Sequence, residues 1–241
     1  MHSKLIGKDA LEAYITIILD NPNISSIFLA EFSQPPLLRE RTGITCEEEE
    51  IVTKALSIRE SYGIPFWDAL MVSCFYRSPV PNKLLDAAMY HQDTFGCTKE
   101  YSRDEIAKGD VQKTAKTLDN GRILAITSEV KLKNGSIYHI PMLDFHCPIS
   151  SENLQLITGV LSRLVSGGAL ILESGESYHA FGMQIISKED FIQFLGKSLL
   201  FTPIIDRAYI GHQLIEGRCA LRISNGGRGK KKPQVVSVLN G

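Results

Sequence analysis

Three short stretches put chemically capable residues where an apolar pattern would otherwise continue. "PMLDFHCPIS" ends a strand-like run with Asp144 and His146, two residues apart and therefore on one face of a strand. "ESGESYHAFG" opens another strand with Ser177 and His179 at the same spacing, just past a tight turn, and "FTPIID" leads into a further strand through Asp206. Carboxylates suit hard divalent cations, and a phosphate-bearing substrate needs a positive donor beside them. Taken singly, each residue has a plain structural role: a histidine at a strand start is held by hydrogen bonds, and an aspartate at a strand end serves a turn or cap. Together, at the ends of strands able to share one sheet, they form an acid/His/acid set. In that set Asp144 and Asp206 hold a metal and His179 faces a phosphate.

Basic residues follow downstream: Arg218, Arg222, and then "NGGRGKKK" with Arg228, Lys230, Lys231 and Lys232. Glycine lets backbone amides approach a phosphate while lysine and arginine supply charge, which suits a triphosphate or a nucleic-acid backbone. The same composition also describes a solvated loop near the carboxyl end.

The elements that must position these residues are legible mainly in the second half. "RILAITSEVKLKNGSIYHIPMLDFH" reads as a hairpin turning at Asn134-Gly135, with Asp144 and His146 at the end of its second strand. "ENLQLITGVLSRLVSGG" is an amphipathic helix with Ile157, Val160, Leu161, Leu164 and Val165 on one face. "ALILES" and "YHAFGMQII" are strands turning at Gly175-Glu176. Ser187 with Asp190 opens a helix whose apolar face carries Phe191, Phe194, Leu195 and Leu199. "IIDRAYIGHQLI", "RCALRIS" and "PQVVSVL" read as closing strands. This order predicts an α+β fold with a mainly antiparallel sheet and helices on one face.

The amino-terminal half reads as a helical α/β part. "DALEAYITIILD" has Leu11, Tyr14, Ile15 and Ile18 at helical spacing, and "ISSIFLAEF" is a short strand. Thr45 with Glu48 is a capping-box pattern opening the next helix, so Glu47 to Glu50 read as a solvated first turn rather than as metal ligands. "IPFWDALMVSCFYRSP" is a buried apolar helix with Trp67 in the core, and "SRDEIAKGDVQKTAKTL" is helical before a turn at "DNG". The expected division is residues 1–118 and residues 119–241.

The chain has 241 residues and a formal net charge of -1, so nucleic-acid binding requires a local basic patch, not a polycationic surface. Five cysteines without C-x-x-C spacing argue against a zinc knuckle and for reduced thiols, and Cys97 with His91 is too sparse for a zinc module. The charged start "MHSKLIGKDALEAY" and the lack of a long apolar run lead to the expectation of a cytoplasmic protein without a membrane partner.

The three motifs, in this order, resemble the archaeo-eukaryotic primase superfamily and above all its primase-polymerase branch. That family has a strand ending Asp-x-Asp, then Ser-x-His after a glycine, then an apolar strand ending in Asp. Here "MLDFH", "SGESYH" and "PIID" stand in those places, followed by Tyr209, Arg218, Arg222 and Lys230. The resemblance covers roughly residues 120–235 and implies an RRM-like sheet half joined to the amino-terminal part, with the active site in the cleft between them. It implies Asp144 and Asp206 as metal ligands, Ser177 and His179 on the phosphates of an incoming nucleotide, and Arg222 and Lys230 supporting nucleotide or template. The implied activity is metal-dependent nucleotidyl transfer of the replication or repair kind, starting or extending a primer on single-stranded or primed nucleic acid from nucleoside triphosphates.

One departure matters. His146 occupies the place of the family's second motif-one carboxylate. An imidazole coordinates, but it favours Mn²⁺ over Mg²⁺. The expected metal set is therefore Asp144, His146 and Asp206, with Mn²⁺ or Mg²⁺. The alternative is a catalytically degenerate module that binds nucleotide or nucleic acid and works with a helicase or nuclease. A phosphohydrolase or nuclease sharing only the acid/His chemistry lacks the further carboxylates it would need.

Overall fold

The structure, a computed structural model, describes residues 2–33, 46–75, 82–90, 97–119, 121–225 and 231–241. A 3-10 turn (His2–Leu5) precedes helix α1 (Ala10–Asp20), which is capped by the Asp9 side chain, and strand β1 (Ile24–Ser33) follows. The four apolar positions expected on α1, Leu11, Tyr14, Ile15 and Ile18, are all buried. Burying each such side chain stabilises the fold by roughly 1.5–3 kcal/mol relative to leaving it in water.

Two compact units make up the chain, and their boundary differs from the expected one at residue 118. One unit is Met1–Gln34 with Asp93–Gly241, and the other is Pro35–Gln92. The physical reason is strand pairing: β1, early in the chain, sits in one ladder with strands from beyond residue 97, so the amino-terminal residues cannot form a unit of their own.

The smaller unit contains helices α2 (Cys46–Tyr62), α3 (Phe66–Cys74) and α4 (Asn82–Met89). Its core gathers Ile51, Ala55, Ala69, Leu70 and Leu84, with Trp67 packed partly buried against it. The capping pattern at Thr45 lies outside the described residues, while Glu49 and Glu50 are exposed near the start of α2.

The larger unit continues with β2 (Thr98–Ser102), α5 (Arg103–Ala107), α6 (Asp110–Lys116), β3 (Arg122–Leu132), β4 (Ile137–His139) and β5 (Met142–Asp144). Then come α7 (Ser151–Leu164), β6 (Ala169–Glu173), β7 (Tyr178–Gly182), α8 (Lys188–Ser198), α9 (Arg207–Glu216), β8 (Ala220–Arg222) and β9 (Gln234–Leu239). All strand pairings among the described residues are antiparallel, so the α+β class with antiparallel sheets holds. The described residues form two sheets. One runs β2-β1-β3-β4, with β8 also pairing β3, and the other runs β5-β7-β6-β9.

Two expectations are corrected here. The hairpin at Asn134-Gly135 forms, but its second strand is divided: β4 pairs with β3, whereas β5 pairs with β7 in the other sheet. Pro141 lies at the break. It has no N–H to continue the first ladder, and its ring sits so close to Gly182 that a Cβ there would lie 3.0 Å from it. Asp144 is therefore not on the hairpin strand; it ends a short strand of the second sheet.

The second correction concerns "RAYIGHQLI", which is helix α9 and not a strand. Asp206 caps it by accepting from the Tyr209 N–H at 3.1 Å, and Gly217 closes it at φ 71°. A short apolar run fits either period, and the cap signals decide it.

Tyr14 ties the two sheets to α1. Its hydroxyl donates to the Thr127 carbonyl of β3 at 3.2 Å, and its ring meets Phe181 of β7 edge-on at 6.0 Å. The helices α7 and α8 bury Ile157, Val160 and Leu161, and Phe191, Phe194 and Leu195, as their periodicity predicts. Among the described residues no helix is long and apolar enough to cross a membrane.

Candidate functional site

The β5 strand is three residues long, and its last residue carries the site. Asp144 is paired in register with His179 of β7, and His179 Nε2 stands 3.4 Å from Asp144 Oδ1. Residues paired across adjacent strands share a face, so this contact follows from register alone.

On its other side, the chain just past β5 meets the segment that precedes α9. Phe145 and Ile205 form a bridge, bracketed by the Asp206 N–H donating to the Asp144 carbonyl at 3.0 Å and the His146 N–H donating to Ile204 at 2.7 Å. Phe145 and Ile205 point into the core, 1% and 0% exposed, which turns Asp144 and Asp206 to the opposite face. His179, Asp144 and Asp206 thus stand side by side on three neighbouring backbone segments. The row ends in water, since the Asp144 side chain is 31% exposed, while His179 is 8% exposed.

Residues 174–177 form the turn before β7. Ser174 donates its N–H to the Ser177 carbonyl at 2.9 Å, and the two hydroxyls lie 3.4 Å apart. Ser177 ends this turn immediately before β7, two residues ahead of His179.

Tyr209 and Cys219 lie behind this row. Burial holds the Tyr209 hydroxyl proton well above its ordinary pKa, with the Cys219 thiol and the carboxylates of Asp144 and Asp206 adding to it. Burial pushes the Cys219 thiol up to about 12. Both groups stay protonated at neutral pH, so neither adds charge to the pair of carboxylates. Cys219 also anchors the strands behind the site: its N–H donates to Ser128 Oγ at 2.9 Å, and its thiol lies 3.6 Å from the Met142 carbonyl. Sequence reasoning missed Cys219 because a lone apolar-flanked cysteine carries no spacing signal.

The expected basic residues within the described parts have these partners. Arg218 is buried and tied to Glu129 at 3.2 Å, Glu216 at 3.6 Å and the Thr98 hydroxyl at 2.9 Å, so it holds structure rather than substrate. Arg222 donates to the backbone carbonyls of Ser174, Ser224 and Lys231. Burial lowers its pKa, and the Asp144 carboxylate works against that shift. Lys230 and Arg228 lie outside the described residues. Lys232 pairs with Asp9 at 2.7 Å.

His146 stands past the end of β5, two residues on from Asp144. Among the described residues, no group of three or more His, Cys, Asp or Glu side chains is arranged to hold a metal ion. The expected set of Asp144, His146 and Asp206 is therefore not a ready-made three-ligand cluster.

Comparison with curated proteins and with solved structures yields no match. The family model for AEP-like, archaeo-eukaryotic primase 1D-like proteins matches residues 102–235, more than half of the chain and all of the row just described. With its three motifs carried on adjacent backbone segments of one sheet face, this chain belongs to the archaeo-eukaryotic primase 1D-like family.

Proposed function

We propose that the chain is a primase-polymerase-type nucleotidyltransferase, and that its core is the RRM-like half of that fold. The observation that supports this best is the row His179–Asp144–Asp206, in which residues far apart in sequence become cross-strand neighbours at a solvent-reachable edge.

The donor chemistry fits a divalent cation. Asp144 and Asp206 are two carboxylates brought together by backbone pairing, and their like charges repel unless a cation lies between them. A magnesium-type ion in a polymerase site takes one or two carboxylates and completes its shell with substrate phosphates and water, so a third protein ligand is not required. Bound there, such an ion would neutralise triphosphate charge and favour ionisation of the attacking 3′-hydroxyl. Asp144 and Asp206 hold that charge in place. His179, fixed against Asp144, and Ser177 orient the phosphates, and the buried wall of Phe145 and Ile205 keeps the strand ends rigid. The substrates are nucleoside triphosphates and a single-stranded or primed template.

The test is incubation of the protein with primed and unprimed templates, labelled nucleotides and either Mn²⁺ or Mg²⁺. Extension is expected in the parent protein and should vanish in Asp144→Ala and Asp206→Asn.

A second reading is favoured by one specific feature. With His146 in place of the family's second motif-one carboxylate, the site also suits a module that binds nucleotide or nucleic acid without joining it, acting beside a helicase or nuclease. Nucleotide binding without incorporation under either ion would select this second reading. Template shortening would reject both.

A further inference from the structure

Arg222 uses its guanidinium in a way the sequence does not suggest. It lies at the end of β8, in register with Ala125 of β3. One terminal nitrogen donates to the Ser174 carbonyl, and the other donates to the carbonyls of Ser224 and Lys231, the latter at 2.9 Å. These three acceptors belong to three separate segments: the β6–β7 turn, the residues just past β8, and the residues just before β9.

The Ser174 carbonyl is the informative partner. The ladders of β6 end at Glu173, paired with Tyr178 on one side and Gln234 on the other, so Ser174 has left both. It is nevertheless buried, and a buried carbonyl without a donor is destabilising. The Ser177 carbonyl takes the Ser174 N–H, and Arg222 takes the Ser174 C=O. Both backbone polar groups of the residue that opens the turn are thereby fixed, and that turn sets where Ser177 and His179 stand. A lysine has one terminal nitrogen where the planar guanidinium has two, so it cannot place donors at both the Ser174 carbonyl and the Ser224 and Lys231 carbonyls with the same geometry.

We infer that Arg222 is a positioning residue for the triphosphate site: it clasps the Ser174–Ser177 turn to the strand ends on either side, and so acts through Ser177 and His179 instead of touching phosphate itself. The clasp is defined by the hydrogen bonds above; its consequence for ligand binding rests on the nucleotide-binding reading of the same site.

Two measurements on Arg222→Lys and Arg222→Met test it. In amide hydrogen exchange, the Ser174 N–H should exchange at least about tenfold faster in both variants, the ratio that loss of roughly one hydrogen bond gives, while β6 and β9 amides keep their protection and report an intact fold. In calorimetric titration with a non-hydrolysable ATP analogue and Mn²⁺, both variants should lose affinity equally, about tenfold. A direct phosphate contact predicts instead that the lysine variant keeps most of the affinity. Unchanged exchange at Ser174, or rescue of affinity by lysine, overturns the proposal. If the parent protein binds no analogue, the nucleotide reading fails, and exchange at Ser174 still decides whether the clasp exists.

Discussion

Asp206 donates its backbone N–H to the carbonyl of Asp144 at 3.0 Å, and its side chain caps α9 by accepting from Tyr209 at 3.1 Å. One residue therefore has two roles that substitution can separate. Asparagine caps a helix as well as aspartate does, whereas alanine does not. Asp206→Asn should keep parental stability in urea unfolding, and Asp206→Ala should lose about 1 kcal/mol. Nucleotide incorporation should fall in both by on the order of a hundredfold or more, because both remove the charge. Incorporation retained in the asparagine variant would leave Asp206 as a cap and nothing further.

His146 offers a gain-of-function test. Replacing it with aspartate puts a carboxylate two residues on from Asp144, just past the end of β5. Hard oxygen ligands favour Mg²⁺ relative to an imidazole, so His146→Asp should raise the ratio of Mg²⁺- to Mn²⁺-supported incorporation. A ratio that stays put, with the fold intact, would remove His146 from the metal chemistry.

A pH dependence follows from a histidine away from the site. His139 is 1% exposed, stacks on Phe191 at 4.1 Å, and has Nδ1 3.1 Å from Ser128 Oγ. Burial, helped by nearby Lys188, lowers its pKa from 6.5 to about 4. The unfolded chain thus binds this proton more readily than the folded one. The stabilising contribution is complete above pH ~6.5 and is lost as pH falls towards ~4, on the order of 3 kcal/mol in all. Between pH 7.5 and 4.5, the parent should lose roughly 2–3 kcal/mol more than His139→Gln by urea denaturation. Parallel pH profiles for the two proteins would contradict this.

Arg218 predicts a large stability effect. It is 2% exposed and faces Glu129 at 3.2 Å and Glu216 at 3.6 Å. Arg218→Met strands two carboxylates beside an apolar side chain and should cost about 3–5 kcal/mol. Adding Glu216→Gln should recover part of that loss, because the second change removes one stranded charge. A single-variant loss under ~1 kcal/mol would show that this network contributes little.

The sequence alone was enough for the helices with a clear apolar stripe and for the hairpin turns. Leu11, Tyr14, Ile15 and Ile18, or Phe191, Phe194 and Leu195, repeat at a spacing that only one face of a helix satisfies, and Asn134-Gly135 and Gly175 mark turns by their own backbone preferences. It also singled out Asp144, Ser177, His179 and Asp206, since polar groups that interrupt apolar runs are visible without coordinates. The split of the second hairpin strand at Pro141, the helix after Asp206 and the fate of the arginines were not visible there. Each depends on partners distant in the chain: β5 leaves β4 because β7 offers a ladder, and Arg218 and Arg222 are consumed by carboxylates and carbonyls that only folding brings near. Residue type and spacing decided which groups were available. Strand register, a property of paired backbones and not of any one segment, decided that His179, Asp144 and Asp206 stand in a row.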